Sequence, residues 1–121
     1  LDLWVYDRID GVHQQVTHNS NVFSFCWLSD SKTLVYSSGV NLLDLTKADI
    51  TTYRYSKLVT GNQIKTYHEK NPMVIWVNGQ ETVIYERELE NGERQIFSVK
   101  PDGSEERCVI DSEAMDWMRE E

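Results

Sequence analysis

The sequence is short of the residues from which active sites are built. Its two cysteines, Cys26 and Cys108, lie far apart and in no metal-like spacing, so each is expected to be a small buried hydrophobe, neither a ligand nor a disulfide partner. The three histidines, His13, His18 and His68, form no His-Glu-x-x-His pattern, and no Cys-x-x-Cys occurs, which argues against a metal centre. The six glycines are isolated turn formers, so there is no phosphate-cradling Gly-x-Gly-x-x-Gly loop and no cofactor is implied. No serine sits in the Gly-x-Ser-x-Gly elbow that a serine hydrolase needs. Basic residues are in the minority: 12 Lys and Arg stand against 20 Asp and Glu, a net charge of −8. That balance disfavours nucleic acid as a partner, because phosphates must be neutralised by cations. No apolar run approaches the ~18 residues of a membrane span. An Asn-x-Ser/Thr sequon is absent as well.

What remains is an ordinary globular composition. With 121 residues, 40% of them apolar and 26% charged, the chain suits one domain with a true core and not a disordered tail. It opens Leu1-Asp2-Leu3-Trp4 with neither an initiating Met nor a signal peptide, as a mature protein or a fragment would. The acidic excess gathers at the end, from Glu105 to Glu121, where solubilising charge accounts for it.

Short β-favouring runs separated by turn dipeptides fill the chain. Leu3 to Tyr6 and Val12 to Thr17, joined at Asp10-Gly11, predict a hairpin. Val22 to Leu28 carries apolar residues on both alternating faces, Phe23, Phe25 and Trp27 on one and Val22, Cys26 and Leu28 on the other, which predicts a strand buried on both faces. Thr33 to Ser38, Val40 to Leu45 and Ile50 to Tyr55 supply three more strands. Leu58 to Asn71, interrupted by Gly61 and stopped by Pro72, predicts an insertion or an irregular edge. Met73 to Ile110 reads as a four-strand meander punctuated by Asn78-Gly79, Asn91-Gly92 and Asp102-Gly103, and Ala114 to Met118 as the start of another strand. No helical period is sustained, so the expected class is all-β.

The runs repeat. Trp27 to Ser38 (WLSDSKTLVYSS) superposes without gaps on Trp76 to Arg87 (WVNGQETVIYER) at a spacing of 49 residues, and Trp117 gives a third start 41 residues further on. Asp10-Gly11 superposes on Asp102-Gly103 at a spacing of 92, about two periods, with Lys47-Ala48-Asp49 as the middle copy of that turn. Periods of this length with about four strands each predict β-propeller blades. The chain then divides into a half blade (1–18), a blade (22–57), the insertion (58–72), a second blade (73–110) and the start of a third (113–121), about three blade-equivalents. The recurring tryptophans Trp4, Trp27, Trp76 and Trp117 are expected to pack blade on blade. Because a blade buries both faces against neighbours, such a run belongs to a larger or an oligomeric propeller.

The segments Trp27 to Ser38 and Gln95 to Ser104 (QIFSVKPDGS) resemble the TolB-like β-propeller repeat, with its W-S-P-D-G-K turn and later D-G. The turn has drifted: Ser29 and Ser31 replace its Pro and Gly in one copy, and Val77-Asn78 its Pro-Asp pair in the other. The resemblance implies a scaffold that binds proteins or ligands on its faces. It weakly favours a periplasmic or extracytoplasmic setting, and leaves a gating propeller of a prolyl-oligopeptidase-like or tricorn-like peptidase as an alternative. Loops carry function more often than blade strands, so candidate binding residues are sought where the repeat breaks. Tyr53, Tyr55 and Tyr67 are candidates for stacking on a carbohydrate, and Glu88, Glu90 and Glu93 mark an exposed acidic hairpin tip. Carboxylate pairs such as Glu86 with Glu88, or Glu105 with Glu106, could serve a glycosidase but suit a solvated strand edge better. No residue is expected to be catalytic.

Overall fold

In the computed structural model residues 1–59, 65–111 and 113 are described. Alternating apolar and polar residues broken by turn formers give ten β-strands among them. Strands β1 (Trp4–Tyr6) and β2 (His13–Gln15) form an antiparallel hairpin. Strands β3 (Val22–Trp27), β4 (Thr33–Ser38), β5 (Asp44–Asp49) and β6 (Arg54–Lys57) form a second antiparallel sheet in sequential order. Strands β7 (His68–Val77), β8 (Gln80–Glu88), β9 (Arg94–Val99) and β10 (Arg107–Ile110) form a third with the same order. The described architecture is therefore all-β, three antiparallel sheets of 2, 4 and 4 strands, none of which closes on itself.

The turns are built by one device. The side chains of Asp7, Asp10, Asp30, Asp49, Asn91 and Asp102 each accept a hydrogen bond from the amide two residues on, at 2.8 to 3.0 Å. A short side chain that closes its own turn leaves the backbone free to reverse into the next strand. At Asp49 the Thr51 hydroxyl joins the Thr51 and Thr52 amides, and together they hold the carboxyl down at about 2.

The sheets stack face against face, with the four-stranded sheet β3–β6 in the middle. Its strand β4 is apolar on both sides. Leu34 and Tyr36 meet Leu3 and Val16 of the hairpin, whereas Val35, with Leu28, Leu45 and Leu58, meets Val83, Tyr85 and Val99 of the third sheet. Gln14 Nε2 donates to Ile50 O at 2.8 Å and Tyr55 Oη to Val16 O at 2.5 Å, fastening the hairpin over β5 and β6. On the other side Glu69 N donates to Leu43 O at 2.9 Å and Ser37 Oγ to Glu69 O at 2.5 Å, tying β7 to the middle sheet.

The 49-residue spacing is visible in this packing. Leu34 and Tyr36 face the sheet that precedes theirs in the chain, and their counterparts Val83 and Tyr85 do the same one sheet later. Val35 faces the sheet that follows and is 0% exposed, but its counterpart Ile84 has no following sheet among the described residues and is only half-buried. Each sheet thus has an upstream and a downstream face of fixed character.

Several expectations change. The third and fourth strands of the middle sheet, β5 and β6, begin four residues beyond Val40 and Ile50, and of Lys47-Ala48-Asp49 the first two lie inside β5 while Asp49 ends it and opens the turn. The cause is β7: Leu43 is held by Glu69 N and by His68 Nδ1, so residues 39–43 are kept as a loop. Strand β7 itself begins at His68, within the expected insertion, and runs through Pro72. A bulge between Lys70 and Met73, with Asn71 at φ 57°, accommodates the proline where no ladder donor is required. The ungapped match of Trp27 and Trp76 also slips in register, since Trp27 lies opposite Leu34 but Trp76 opposite Glu81. The tight Asn78-Gly79 turn, with φ of 50° and 75°, replaces the longer link of residues 28–32 and shortens that hairpin. The tryptophans are not core residues: Trp4, Trp27 and Trp76 are 59, 41 and 61% exposed. Strand β3 is not buried on both faces either, for Phe23 and Phe25 are exposed beside Trp27. Cys108 is exposed because β10 is an edge strand, while burial pushes the half-buried Cys26 thiol up to about 11. Ala114 to Met118, with Trp117, lies outside the described residues.

Two stability predictions follow from the stack and its turns. Leu45 and Ile96 lie opposite the equivalent residues Ser37 and Glu86. Leu45→Ala removes a side chain that is 1% exposed and is expected to cost about 2–5 kcal/mol, and Ile96→Ala, on the uncovered face, roughly half of that or less, both by urea unfolding. Equal losses would contradict the asymmetry of the stack. Gly11→Ala, at φ 72° in open space, should cost about 1–2 kcal/mol. Gly103→Ala should cost more, because its Cβ would lie 2.2 Å from Leu58 O.

Candidate interaction faces

Among the described residues, the sheets at the two ends of the stack each have a face that no further sheet covers. At the upstream end the hairpin turns Leu3, Val5 and Val16 inward, which leaves Trp4 and Tyr6 outward, the latter against His13 with ring centroids 4.8 Å apart. The hairpin covers only part of the middle sheet. Phe25 and Trp27 of β3 lie directly opposite Tyr36 and Leu34 and share their face, yet they are 53 and 41% exposed where Tyr36 and Leu34 are buried. The covered surface therefore takes in β4 and, on β3, Val22 at its head, and leaves Phe25 and Trp27 bare.

At the downstream end the outer face of the third sheet forms a shallow recess of about 760 Å³, floored by Ile75, Val77, Ile84 and Val109. Lys100 and Arg107 border it with Glu105, whose carboxylate lies 2.7 Å from Lys100 Nζ. Ile84 in this recess is the counterpart of Val35, and Ile96, on the same face of the sheet but outside the recess, that of Leu45; the third sheet covers Val35 and Leu45 in the middle of the stack.

Between the second and third sheets lies a polar seam. The Arg87 guanidinium is sandwiched between the Phe97 and Tyr67 rings, 3.7 and 4.2 Å from their centroids. Its Nη2 donates to Glu106 Oε1 at 2.6 Å, and the same carboxylate accepts from Tyr85 Oη at 2.5 Å. Burial and that bond to Glu106 push the Tyr85 hydroxyl far above the ordinary tyrosine range. The Arg87 Nε is buried without a partner among the described residues. Beside it Glu69 accepts from Leu45 N at 2.8 Å and lies 3.5 Å from Lys65 Nζ, which also pairs with Asp44. Burial outweighs these partners and raises the Glu69 carboxyl above 4.5. Every charge in the seam is matched by an opposite one, the pattern of an interface that holds two sheets together. Sequence reasoning missed Arg87. The signal was its place in the repeat, where an arginine stands for Ser38 on a face turned to the preceding sheet.

The expected binding residues do not gather. Tyr53 is exposed at the β5–β6 turn with φ 58°, and Tyr55 is spent on the hairpin through its bond to Val16 O. Tyr67 lies across the middle sheet from Tyr55, against Lys65 and Arg87. Tyrosines on opposite faces of a sheet make no common platform for a sugar ring. Glu88, Glu90 and Glu93 do share the β8–β9 tip, with Glu90 and Glu93 exposed and Glu88 2.5 Å from Lys70 Nζ, a bond that lowers its carboxyl. Glu86 is likewise 3.5 Å from Arg94.

Among the described residues no three His, Cys, Asp or Glu side chains group as a metal set, and no helix is long and apolar enough to cross a membrane. No protein-family model matches the chain, and no curated protein matches it.

The Glu69 carboxyl gives a pH test with a definite sign. Its folded value is raised, so the folded state takes up the proton before the unfolded chain does, and stability is gained as pH falls through that value to 4.5. Glu69→Gln removes this gain. In urea unfolding between neutral pH and 4.5, the parent is expected to gain stability relative to the Gln variant on acidification. The opposite slope would show that Lys65 and the Leu45 amide dominate instead.

Proposed function

We propose that the chain is a non-catalytic interaction scaffold, a run of β-propeller blades of the TolB-like type that binds other protein surfaces through the faces at its two ends. The observation that carries this is the inequality between equivalent residues. Val35 and Leu45 are sealed by a following sheet, while Ile84 and Ile96, half-buried on the equivalent face, meet no further sheet among the described residues. Contiguous apolar surface left bare in a folded domain marks a place where another protein packs. The engagement of Glu86, Glu88 and Glu106 with Arg94, Lys70 and Arg87 supports a structural use of these carboxylates over an acid–base one.

Light scattering and sedimentation of the purified chain test this. The expected outcome is reversible association above 14.2 kDa, reduced by Ile84→Lys at the downstream face or Trp27→Lys at the upstream one, together with binding of an apolar dye. A stable monomer at high concentration that binds no dye would overturn the proposal.

A further inference from the structure

Among the described residues the outer edge of β1 in the hairpin is unpaired, and that edge points at the bare strip of the middle sheet. In the ladder the bonds Val16 N to Leu3 O and Asp7 N to Val12 O fix which residues face β2. By the alternation of an antiparallel pair Val5 also turns its backbone groups toward β2, and Trp4 and Tyr6 turn theirs away. Among the described residues no hydrogen bond reaches those outward groups. Strand β2 lies over β5 and β6, where Gln14 reaches Ile50 O and Val16 O receives Tyr55 Oη. Strand β1 is accordingly the one nearer β3, and Val22 N at the head of β3 donates to Leu1 O at 2.8 Å. A further strand added to β1 at the usual spacing of about 4.8 Å would lie across β3 and cover Phe25 and Trp27.

We infer that the free edge of β1 and the Phe25–Trp27 strip are one docking site for a partner β-hairpin, whose first contact strand pairs with β1 and whose apolar face closes over β3. The inference rests on the scaffold proposed above and names its occupant. The bare strip is continuous with the buried hairpin interface, since Phe25 and Trp27 are cross-strand neighbours of Tyr36 and Leu34 within it. The interface one sheet later shows what covers such a strip. There β3 and β4 lie against β7, and Cys26, Leu28 and Val35 pack in the same cluster as Val74 and Val83. The occupant is therefore a hairpin with small or aliphatic residues alternating on one face. Main-chain pairing to β1 supplies affinity, and the strip selects the side chains.

A synthetic peptide of this chain's own residues 22–38, the hairpin that performs this task one sheet later, is the probe. Calorimetric titration into the full chain is expected to show one saturable site, weakened at least tenfold by Trp27→Lys. Tyr6→Pro, which deletes an outward amide without touching the ladder to β2, should weaken it similarly. Val40→Lys, at a 92% exposed position in the loop between β4 and β5, should leave binding unchanged. Hydrogen exchange should show the Trp4 and Tyr6 amides protected when the peptide is present. Absence of binding, binding indifferent to Trp27→Lys and Tyr6→Pro, or Trp4 and Tyr6 amides that stay unprotected would each overturn the site. Self-association that the peptide cannot displace and that Trp27→Lys abolishes would assign the strip to a second copy of the chain instead. A chain that associates through its bare faces yet ignores the peptide sinks the hairpin site and leaves the scaffold standing.

Discussion

Strand β4 sets the terms for the rest of the molecule. Leu34 and Tyr36 on one side and Val35 and Ser37 on the other are all nearly or wholly buried, so the middle sheet needs cover on both faces. A strand of this kind cannot sit at the surface of a two-layer domain. The hairpin and the third sheet exist, in this sense, to satisfy it. Burying an aliphatic or aromatic side chain of that size stabilises by roughly 1.5–3 kcal/mol, and the three such positions on one strand, Leu34, Val35 and Tyr36, outweigh any single surface contact in the chain.

Polar groups then fix how the layers sit. The Tyr55 and Gln14 bonds hold the hairpin over β5 and β6, and the Glu69 backbone and carboxylate hold β7 against Ser37, Leu43 and Leu45. Apolar burial alone would allow the sheets to slide. Directional bonds, each with a net value of about 1 kcal/mol, are what choose one position. Arg87 between its two rings adds a cation that packs as well as it pairs, which explains how a charged residue is tolerated in the seam.

The turns were legible in the sequence because their chemistry is local: Asp10-Gly11, Asn91-Gly92 and Asp102-Gly103 need nothing beyond their own side chains and glycine's access to positive φ. The repeat was legible for the same reason, and Leu34 with Val83 and Tyr36 with Tyr85 play equal parts in the packing. What could not be read was anything decided at a distance. Strand β5 begins at Asp44 and not at Val40 because His68 and Glu69 claim Leu43, a contact between residues some 25 apart. The exposure of Phe25 and Trp27 depends on how far the hairpin reaches, and composition does not encode reach. Of the candidate residues, Glu88, Glu90 and Glu93 lie near one another at the β8–β9 turn, with Glu88 paired to Lys70, whereas the three tyrosines were joined by type and are separated by a sheet.

The upstream and downstream faces of each sheet are different surfaces, and this has a consequence for symmetry. A face built like that of Val83 and Tyr85 is made to receive one built like that of Val35 and Leu45, not its own image. Contacts that extend the stack are therefore heterologous, and a two-fold axis cannot relate the molecules on either side of them. Such contacts either close into a ring, when the rotation from one sheet to the next divides the circle, or continue without end. The angle between successive sheets, and not the strength with which they adhere, is then the property that separates a finite particle from a fibre.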